Sequence, residues 1–221
     1  MACATTAAPS RLRGVASACI TYKSCFDKHS ASQSSQSSRR SSHVSKPSLR
    51  NGQFLGRGAS KRVVARIRSG TLVAVMTSQT DDLETEAMLM MKLTLHPHPH
   101  LLPLLGIEYD AQSRVSMVAP IAPFGSMCDL ADHLEFDGLS LSSSHVAVAV
   151  LQVLSGLLHL NSMNINHKDV CARNTLVFEF DVLDPHALRV CLADYGEAVS
   201  GQSDLYSVVN LARELHALVP R

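Results

Sequence analysis

Residues 165–177 read I-N-H-K-D-V-C-A-R-N-T-L-V, and residues 194–196 add D-Y-G beyond a predicted hairpin. The first stretch holds the carboxylate of Asp169 and the amide of Asn174, and the second holds the carboxylate of Asp194. A carboxylate can accept the proton of a hydroxyl group, and carboxylate and amide oxygens are suitable ligands for Mg²⁺. Each motif alone is also compatible with an ordinary polar turn. Their order, with the hairpin between them, favours one site built from all three side chains.

The two motifs resemble the catalytic loop and the metal-binding triplet of protein kinases. Residues 172–174, A-R-N, are more similar to tyrosine kinases and tyrosine-kinase-like serine/threonine kinases than to other serine/threonine kinases. The resemblance implies that Asp169 orients the acceptor hydroxyl, that Asn174 and Asp194 bind magnesium, and that ATP is the phosphate donor. Lys168 replaces the usual arginine and can attract phosphate, but without the planar bidentate fork.

Residues 54–67, F-L-G-R-G-A-S-K-R-V-V-A-R-I, predict two short strands joined by a glycine-containing turn. Gly56 and Gly58 have no side chains, so the backbone amides at the turn could approach phosphate groups closely. The spacing resembles the glycine loop of kinases, in which the residue at Val63 would cover the adenine ring. A G-x-G pair alone is weak evidence, and the strand and helix that follow it strengthen the comparison.

The next predicted strand, residues 71–76, reads T-L-V-A-V-M, where the kinase pattern V-A-I-K ends in lysine. Ala74 matches the alanine of that pattern and is assigned to the nucleotide site, whereas Met76 cannot bind phosphate or a carboxylate. Lys61 replaces the third glycine of the loop, on the neighbouring strand, and resembles the lysine of with-no-lysine kinases. We therefore expect Lys61 to reach the phosphates, with a solvated surface lysine as the alternative.

Residues 80–93, T-D-D-L-E-T-E-A-M-L-M-M-K-L, predict a helix that begins with a capping threonine and two acids. Apolar residues then recur at helical spacing, so one face should pack on the core. By its match to the family run E-x-x-x-M-x-x-L, Glu86 is the acid expected to face the lysine. Glu84 is the second choice.

Residues 101–106 and 114–119 are predicted to form two further strands. Residues 120–125, P-I-A-P-F-G, then resemble the hinge that binds adenine through backbone groups. In that comparison Ala119 guards the back of the pocket and Ile121 belongs to the adenine site. A proline-rich linker is the alternative interpretation, and the same fold accommodates it.

Residues 142–163 predict a long apolar helix with a serine cap, and we expect this helix to be buried. In a kinase it leads into the catalytic loop, where His167 packs beneath the metal-binding triplet. Residues 175–180 and 188–192 are predicted to form the hairpin between the two motifs, with a longer turn than kinases usually have. Tyr195 stands in place of phenylalanine, so it keeps the aromatic packing and adds a hydroxyl that needs a partner.

Residues 203–215, S-D-L-Y-S-V-V-N-L-A-R-E-L, resemble the central helix of the kinase C-lobe, in which Asp204 would hold the backbone of the catalytic loop. Only residues 197–202 separate this stretch from the metal-binding triplet. The resemblance therefore lacks the activation segment and the peptide-binding surface of kinases. We expect a chain that is complete on the nucleotide side and shortened on the protein-substrate side, either as a truncated product or as a reduced kinase relative.

The composition of residues 1–50 differs from that of the rest of the chain. These residues hold eight lysines and arginines and one acid, which leaves 12 basic and 18 acidic residues in 51–221. Their richness in serine predicts either a disordered tail or an organelle transit segment. The six cysteines form no metal-ligand grouping, so we expect reduced thiols in an intracellular, cytoplasmic protein.

No stretch reaches the roughly 18 to 20 continuous apolar residues that a membrane span requires. The longest apolar run is interrupted by Gln152, Ser155 and His159. We therefore expect no membrane span. We also expect no nucleic-acid partner. Residues 96–100, H-P-H-P-H, could in principle bind a metal, but an ordinary loop explains them better because no cysteine or acid lies close by in the sequence.

These patterns predict an α+β, two-lobed, protein-kinase-like fold. Residues 51–119 would form an N-lobe with an antiparallel sheet and one helix, residues 120–125 the hinge, and residues 126–221 an incomplete, mainly helical C-lobe. The predicted function is magnesium-dependent transfer of phosphate from ATP to serine/threonine or tyrosine hydroxyls of proteins. One alternative is a pseudokinase or kinase fragment that binds nucleotide or a partner without catalysis. Another is a small-molecule phosphotransferase, against which the hinge and the S-D-L-Y-S stretch argue.

Overall fold

The computed structural model describes residues 44, 46–57, 61–78, 83–110, 114–201, 204 and 206–219. Most of the predicted tail lies outside these residues, as do Gly58 of the glycine turn, Thr80 and Ser203. Within the described residues the fold is α+β, as predicted: a five-stranded antiparallel sheet with one helix precedes a mainly helical part.

Five antiparallel strands form the sheet, in the spatial order β1-β2-β3-β5-β4. Their bounds are Phe54–Arg57 (β1), Lys61–Arg68 (β2), Thr71–Ser78 (β3), Gly106–Tyr109 (β4) and Val115–Pro120 (β5). Ser69 and Gly70 join β2 to β3, and both have positive φ, as expected of a two-residue hairpin turn that matches the strand twist. The two strands predicted within residues 54–67, on either side of the glycine-containing turn, are β1 and β2 and are confirmed.

The strand predicted at residues 101–106 is wrong. β4 begins only at Gly106, and Leu101, Leu102 and Leu104 before it are buried without forming a regular strand. Leu102 and Leu104 are 4% and 6% exposed because they pack into the core. Pro103 between them has no backbone N–H to donate to a neighbouring strand. The apolar run therefore reflects core packing.

The helix α1, Leu83–Leu95, packs against one face of the sheet. Its buried residues recur every three or four positions, and they join the main hydrophobic core together with residues of β3 and β5: Leu83, Ala87, Met90, Leu93, Met76 and Met117. The strand register aligns Val64, Val75 and Val118 across three strands, and these belong to a second, smaller cluster.

The mainly helical part begins with α2, Met127–Phe136, and α3, Ser143–Ser162. Ser142 caps α3: its hydroxyl accepts a hydrogen bond from the backbone N–H of His145, and the ring of His145 accepts one from the backbone N–H of Ser142. Both the helix and its serine cap were predicted from residues 142–163, and both are confirmed.

Four short strands and a last helix follow α3. Their bounds are Ile165–Asn166 (β6), Thr175–Glu179 (β7), Arg189–Leu192 (β8), Val199–Ser200 (β9) and Ser207–Ala217 (α4). β7 and β8 form the predicted hairpin, and β9 pairs with β6. α4 begins at Ser207, later than the predicted residue 203. Asp204 precedes the helix, and its side chain accepts a hydrogen bond from the loop after β6.

The expected full burial of α3 is wrong. Leu151 and Leu158 are 64% and 51% exposed, because the helix packs against β8 and α4 on one side only. By length and composition alone α3 could cross a membrane, but core helices of soluble proteins pass the same test. Its buried Val153 and Leu157 belong to the main hydrophobic core, which supports the role of a core helix.

Candidate active site

The centre of the candidate site is a buried lysine bonded to two carboxylates. The Nζ atom of Lys61 lies 2.8 and 2.7 Å from the two carboxylate oxygens of Glu86, and 2.5 Å from Oδ1 of Asp194. Lys61 and Glu86 are only 7% and 5% exposed. The alternative of a solvated surface lysine is therefore wrong. The three side chains come from β2, α1 and the segment after β8, which the fold brings together.

Glu86 occupies this position because it lies on the buried face of α1. Glu84 lies on the exposed side of the helix, so the second choice from the sequence is wrong. Oε1 of Glu86 also accepts a hydrogen bond of 3.1 Å from the backbone N–H of Tyr195. One carboxylate thus joins β2 to the D-Y-G segment through α1.

The electrostatics of the cluster favour the charged lysine. Burial of Lys61 works against its ammonium form, but the negative charges of Glu86 and Asp194 and their hydrogen bonds outweigh this effect and raise the pKa of Lys61 above its usual value. The cluster therefore contains a permanent cation at neutral pH, next to a carboxylate of Asp194 that is 43% exposed.

Met76 lies close to Lys61 on the same face of the sheet. Met76 pairs with Val63 in the β2–β3 register, and Val63 is two positions from Lys61, so their side chains share a face. Met76 is 8% exposed and packs in the main core. Diagonal neighbours on a sheet are close enough for long side chains to meet. Side chains at the positions of Met76 and Lys61 can therefore reach the same region next to this face of the sheet.

The loop between β6 and β7 holds the other predicted catalytic residues. Nδ2 of Asn174 donates hydrogen bonds of 2.7 Å to Oδ2 and 2.9 Å to the backbone oxygen of Asp169. Lys168 has a φ of 70°, and its backbone N–H donates to Oδ2 of Asp204 at 2.8 Å. Asp204 therefore holds the backbone of this loop, as expected from the sequence.

The D-Y-G segment is held in place by contacts with His167 and with the end of β8. Nε2 of His167 lies 3.1 Å from the backbone oxygen of Ala193, and its ring centre is 5.2 Å from that of Tyr195. The hydroxyl of Tyr195 donates to the backbone oxygen of Leu192 at 3.0 Å, which supplies the partner that the sequence required. Burial lowers the pKa of His167 and raises that of Tyr195, so both side chains are neutral at pH 7. Asp194 has a φ of 66°, a conformation that turns the chain sharply at this point.

The predicted adenine side of the site is lined by small residues. Ala74 pairs with Ala119 in the β3–β5 register, and Ala119 is fully buried. Val63 is opposite Gly56 of β1, so the two residues predicted to cover the nucleotide are neighbours. Ile121 follows β5 and is half-buried. These residues come from neighbouring strands of one sheet and the segment after β5, while Gly58 lies outside the described residues.

The predicted hinge is fastened to the hairpin and to α2. The backbone N–H of Val177 donates to the oxygen of Gly125 at 2.8 Å, and that of Phe124 donates to the oxygen of Val177 at 3.3 Å. Ser126 then caps α2 in a capping box with Asp129. Gly125 has a φ of 69°, and a Cβ added to it would lie 2.6 Å from Oδ2 of Asp129.

Sequence reasoning missed one residue that contacts the loop. Oε2 of Glu214 on α4 accepts a hydrogen bond of 2.9 Å from the backbone N–H of Ala172. The only sequence signal was the position of this acid beside Leu215, on a helix whose buried residues include Leu211. An acid at the edge of a buried helix stripe is too common to identify a contact with a distant loop.

His98 and His100 form a ring cluster with His159 of α3. The ring of His98 stacks on His159 at 5.1 Å and contacts His100 edge-on at 5.6 Å. Their ring nitrogens meet protein groups, such as the backbone oxygen of Val190 for His100. Within the part of the chain that the structure describes, no group of histidines, cysteines and acids is arranged to hold a metal ion.

Comparisons with known proteins agree with this geometry. The family model described as protein tyrosine and serine/threonine kinase matches residues 50–215. The chain is 30% identical over 159 residues to tyrosine-protein kinase SRK3 of Spongilla lacustris, covering 69% of this chain and 44% of that protein. It is 27% identical over 161 residues to tyrosine-protein kinase Fer of Mus musculus, covering 71% and 18%. A probable serine/threonine-protein kinase of Dictyostelium discoideum is 26% identical over 168 residues, covering 72% and 32%. The chain thus spans less than half the length of these relatives.

Proposed function

Because the chain belongs to the protein tyrosine and serine/threonine kinase family, we propose that it binds Mg-ATP and transfers the γ-phosphate to hydroxyl groups of protein substrates. The observation that carries this proposal is the contact of one buried ammonium, Lys61, with both Glu86 and Asp194. Kinases require a lysine paired with a helix glutamate next to the metal-binding aspartate.

In this proposal Lys61 takes the part of the lysine that Met76 replaces. Its ammonium would bind the phosphates from β2, and Glu86 would hold it in place. The shared sheet face of Lys61 and Met76 supports this exchange. Gly56, Val63, Ala74, Ala119 and Ile121 would surround the nucleotide.

The metal ligands in this proposal are Asn174 and Asp194. The amide nitrogen of Asn174 is the group that donates to Asp169, so its amide oxygen is the atom that would face the metal. Bound magnesium would neutralise negative charge on the phosphate oxygens during transfer. The donor set fits this ion, because magnesium prefers carboxylate and amide oxygens.

Asp169 would orient the acceptor hydroxyl and accept its proton. The hydrogen bond from Asn174 fixes the Asp169 carboxylate relative to the proposed metal site. Relatives that are named tyrosine kinases and one named a probable serine/threonine kinase are similarly distant from this chain. The proposed acceptor is therefore a serine, threonine or tyrosine hydroxyl.

A second candidate function is nucleotide or partner binding without transfer. Met76 at the usual lysine position, Lys168 in place of arginine, and the short stretch of residues 197–202 favour it. The two functions share the nucleotide site and differ in chemistry.

Two measurements test the proposal: calorimetric titration with Mg-ATP, and phosphate transfer to a mixture of serine, threonine and tyrosine peptides. We expect both to succeed for the wild type, transfer to be abolished in Asp194→Ala, and the exposed-acid control Glu135→Ala to behave as wild type. Binding without transfer by the wild type would favour the second function. A D194A variant that transfers phosphate at the wild-type rate would overturn the assignment of the metal ligand.

A further inference from the structure

Two acids from the C-terminal end of the described chain bond the backbone of the catalytic loop. Asp204 accepts from the N–H of Lys168, and Glu214 accepts from the N–H of Ala172. These two contacts lie on either side of Asp169 in the sequence. The loop is thus fixed at two points, and only the first was expected from the kinase resemblance.

The carboxylate of Glu214 provides an acceptor for the backbone N–H of Ala172, which has no acceptor within its own helical turn. Ala172 is the first residue of the short 3-10 turn Ala172–Asn174, and the first N–H groups of a helical turn have no intrahelical acceptor. The residue before it, Cys171, provides no side-chain cap. Because Ala172 is only 3% exposed, water is a poor substitute for the carboxylate of Glu214.

The turn that Glu214 holds carries Asn174 at its end. Asn174 in turn bonds Asp169 through its amide nitrogen. Glu214 itself lies on α4, where the neighbouring Leu211 and Leu215 are fully buried and anchor this part of the helix in the core. A helix anchored in the core is therefore connected to the proposed metal ligand Asn174 and to the proposed catalytic Asp169 through one short turn.

We infer that Glu214 is a positioning residue, which sets the orientation of Asn174 and Asp169 by accepting the Ala172 N–H. This inference rests on the proposed function and assigns to it a residue to which the kinase resemblance gave no role. The role requires an acceptor oxygen at position 214, and a glutamine supplies one.

The direct test is amide hydrogen exchange at Ala172 in the nucleotide-free protein. Glu214→Ala should accelerate this exchange by at least about tenfold, since one charge-assisted hydrogen bond is lost. Glu214→Gln should remain close to the wild type, and so should Arg213→Ala, which alters an exposed neighbour on the same helix. Wild-type exchange in E214A, or equal acceleration in E214A and E214Q, would overturn the inference.

A kinetic readout separates positioning from a loss of structure. E214A should raise the magnesium concentration needed for half-maximal transfer and lower kcat, while the affinity for ATP without metal stays unchanged, and E214Q should restore both values. If the wild type binds no Mg-ATP, the proposed function fails and this role fails with it. If the wild type transfers phosphate and E214A shows the same exchange and magnesium dependence, only the role of Glu214 fails.

Discussion

The ammonium of Lys61 bonds the carboxylate of Asp194, which follows it by more than half the length of the chain. The same ammonium bonds Glu86, so one cation pairs with two acids from different elements. Glu86 is buried, so it is a structural partner of Lys61. Asp194 is partly exposed, so its carboxylate can also turn toward a ligand. The cluster thus connects the stability of the N-terminal sheet to the proposed metal site.

A double-mutant cycle on Lys61 and Glu86 tests the structural half of this connection. Lys61→Met should lower the free energy of unfolding by about 3 to 5 kcal/mol, because it leaves the buried Glu86 carboxylate without its main counter-charge. Adding Glu86→Gln should recover most of that loss, since the amide can still accept from the N–H of Tyr195. Urea unfolding of the four proteins measures the cycle. Purely additive losses would show that the two side chains are not coupled.

The surroundings of Gly125 and Gly138 predict that alanine destabilises the protein by different amounts at these two positions. Gly125 and Gly138 both have a φ of 69°, but a Cβ would meet Asp129 at Gly125 and open space at Gly138. Gly138→Ala should cost about 1 to 2 kcal/mol from the left-handed backbone alone. Gly125→Ala should cost more, because it also displaces the side chain that completes the α2 capping box. Thermal unfolding measures both, and equal losses would contradict the assigned steric conflict.

The histidine cluster predicts a loss of stability on acidification. Burial, reinforced by His159 and His100, lowers the pKa of His98 to about 4, and burial also lowers that of His100, near Arg189. The unfolded chain therefore binds more protons than the folded one below pH 6.5. The contribution of these two histidines to the free energy of unfolding is fully present above that pH and falls as the pH drops toward 4. The slope from His98 stays below the limit of about 1.4 kcal/mol per pH unit for one proton, because its ring is partly exposed.

Urea unfolding at pH 7.5 and pH 5 measures this effect. His98→Gln should reduce the difference in unfolding free energy between the two pH values. The exposed His216→Gln on α4 should leave it unchanged. An H98Q protein with the full wild-type pH dependence would show that His98 is protonated in the folded state.

The sequence predicted those parts of the fold that depend on local signals. The serine cap and apolar spacing of α3, and the paired strands of the hairpin between the two motifs, follow from short-range preferences. Resemblance to kinases supplied Glu86 as the partner of Lys61. The strand predicted at residues 101–106 does not form. A buried irregular segment and a buried strand have the same run of apolar residues in the sequence, and Pro103 distinguishes them only once the packing of the core is known.

Other features depend on how elements are placed relative to one another. The contact between Glu214 and Ala172 requires α4 to lie against the loop after β6, and neither residue belongs to a pattern that predicts this. The exposure of Leu151 likewise depends on which elements cover α3. Such tertiary relationships leave no periodic signal in a single sequence.

In the proposed nucleotide site Lys61 takes the place of the lysine that Met76 replaces. Calorimetric titration with Mg-ATP should give at least about tenfold weaker binding for Lys61→Met, since a charge-assisted contact to phosphate is lost. K61M/M76K should recover most of the affinity, because position 76 shares the sheet face and Glu86 remains as partner. Arg66→Met, an exposed cation on the same strand, is the matched control and should bind as wild type.

Circular dichroism establishes that each protein is folded, and K61M/E86Q replaces K61M if the single variant unfolds. We expect loss of affinity for Mg-ATP in K61M and its recovery when lysine is restored at position 76. Wild-type affinity for Mg-ATP in a folded protein that lacks Lys61 would contradict this expectation.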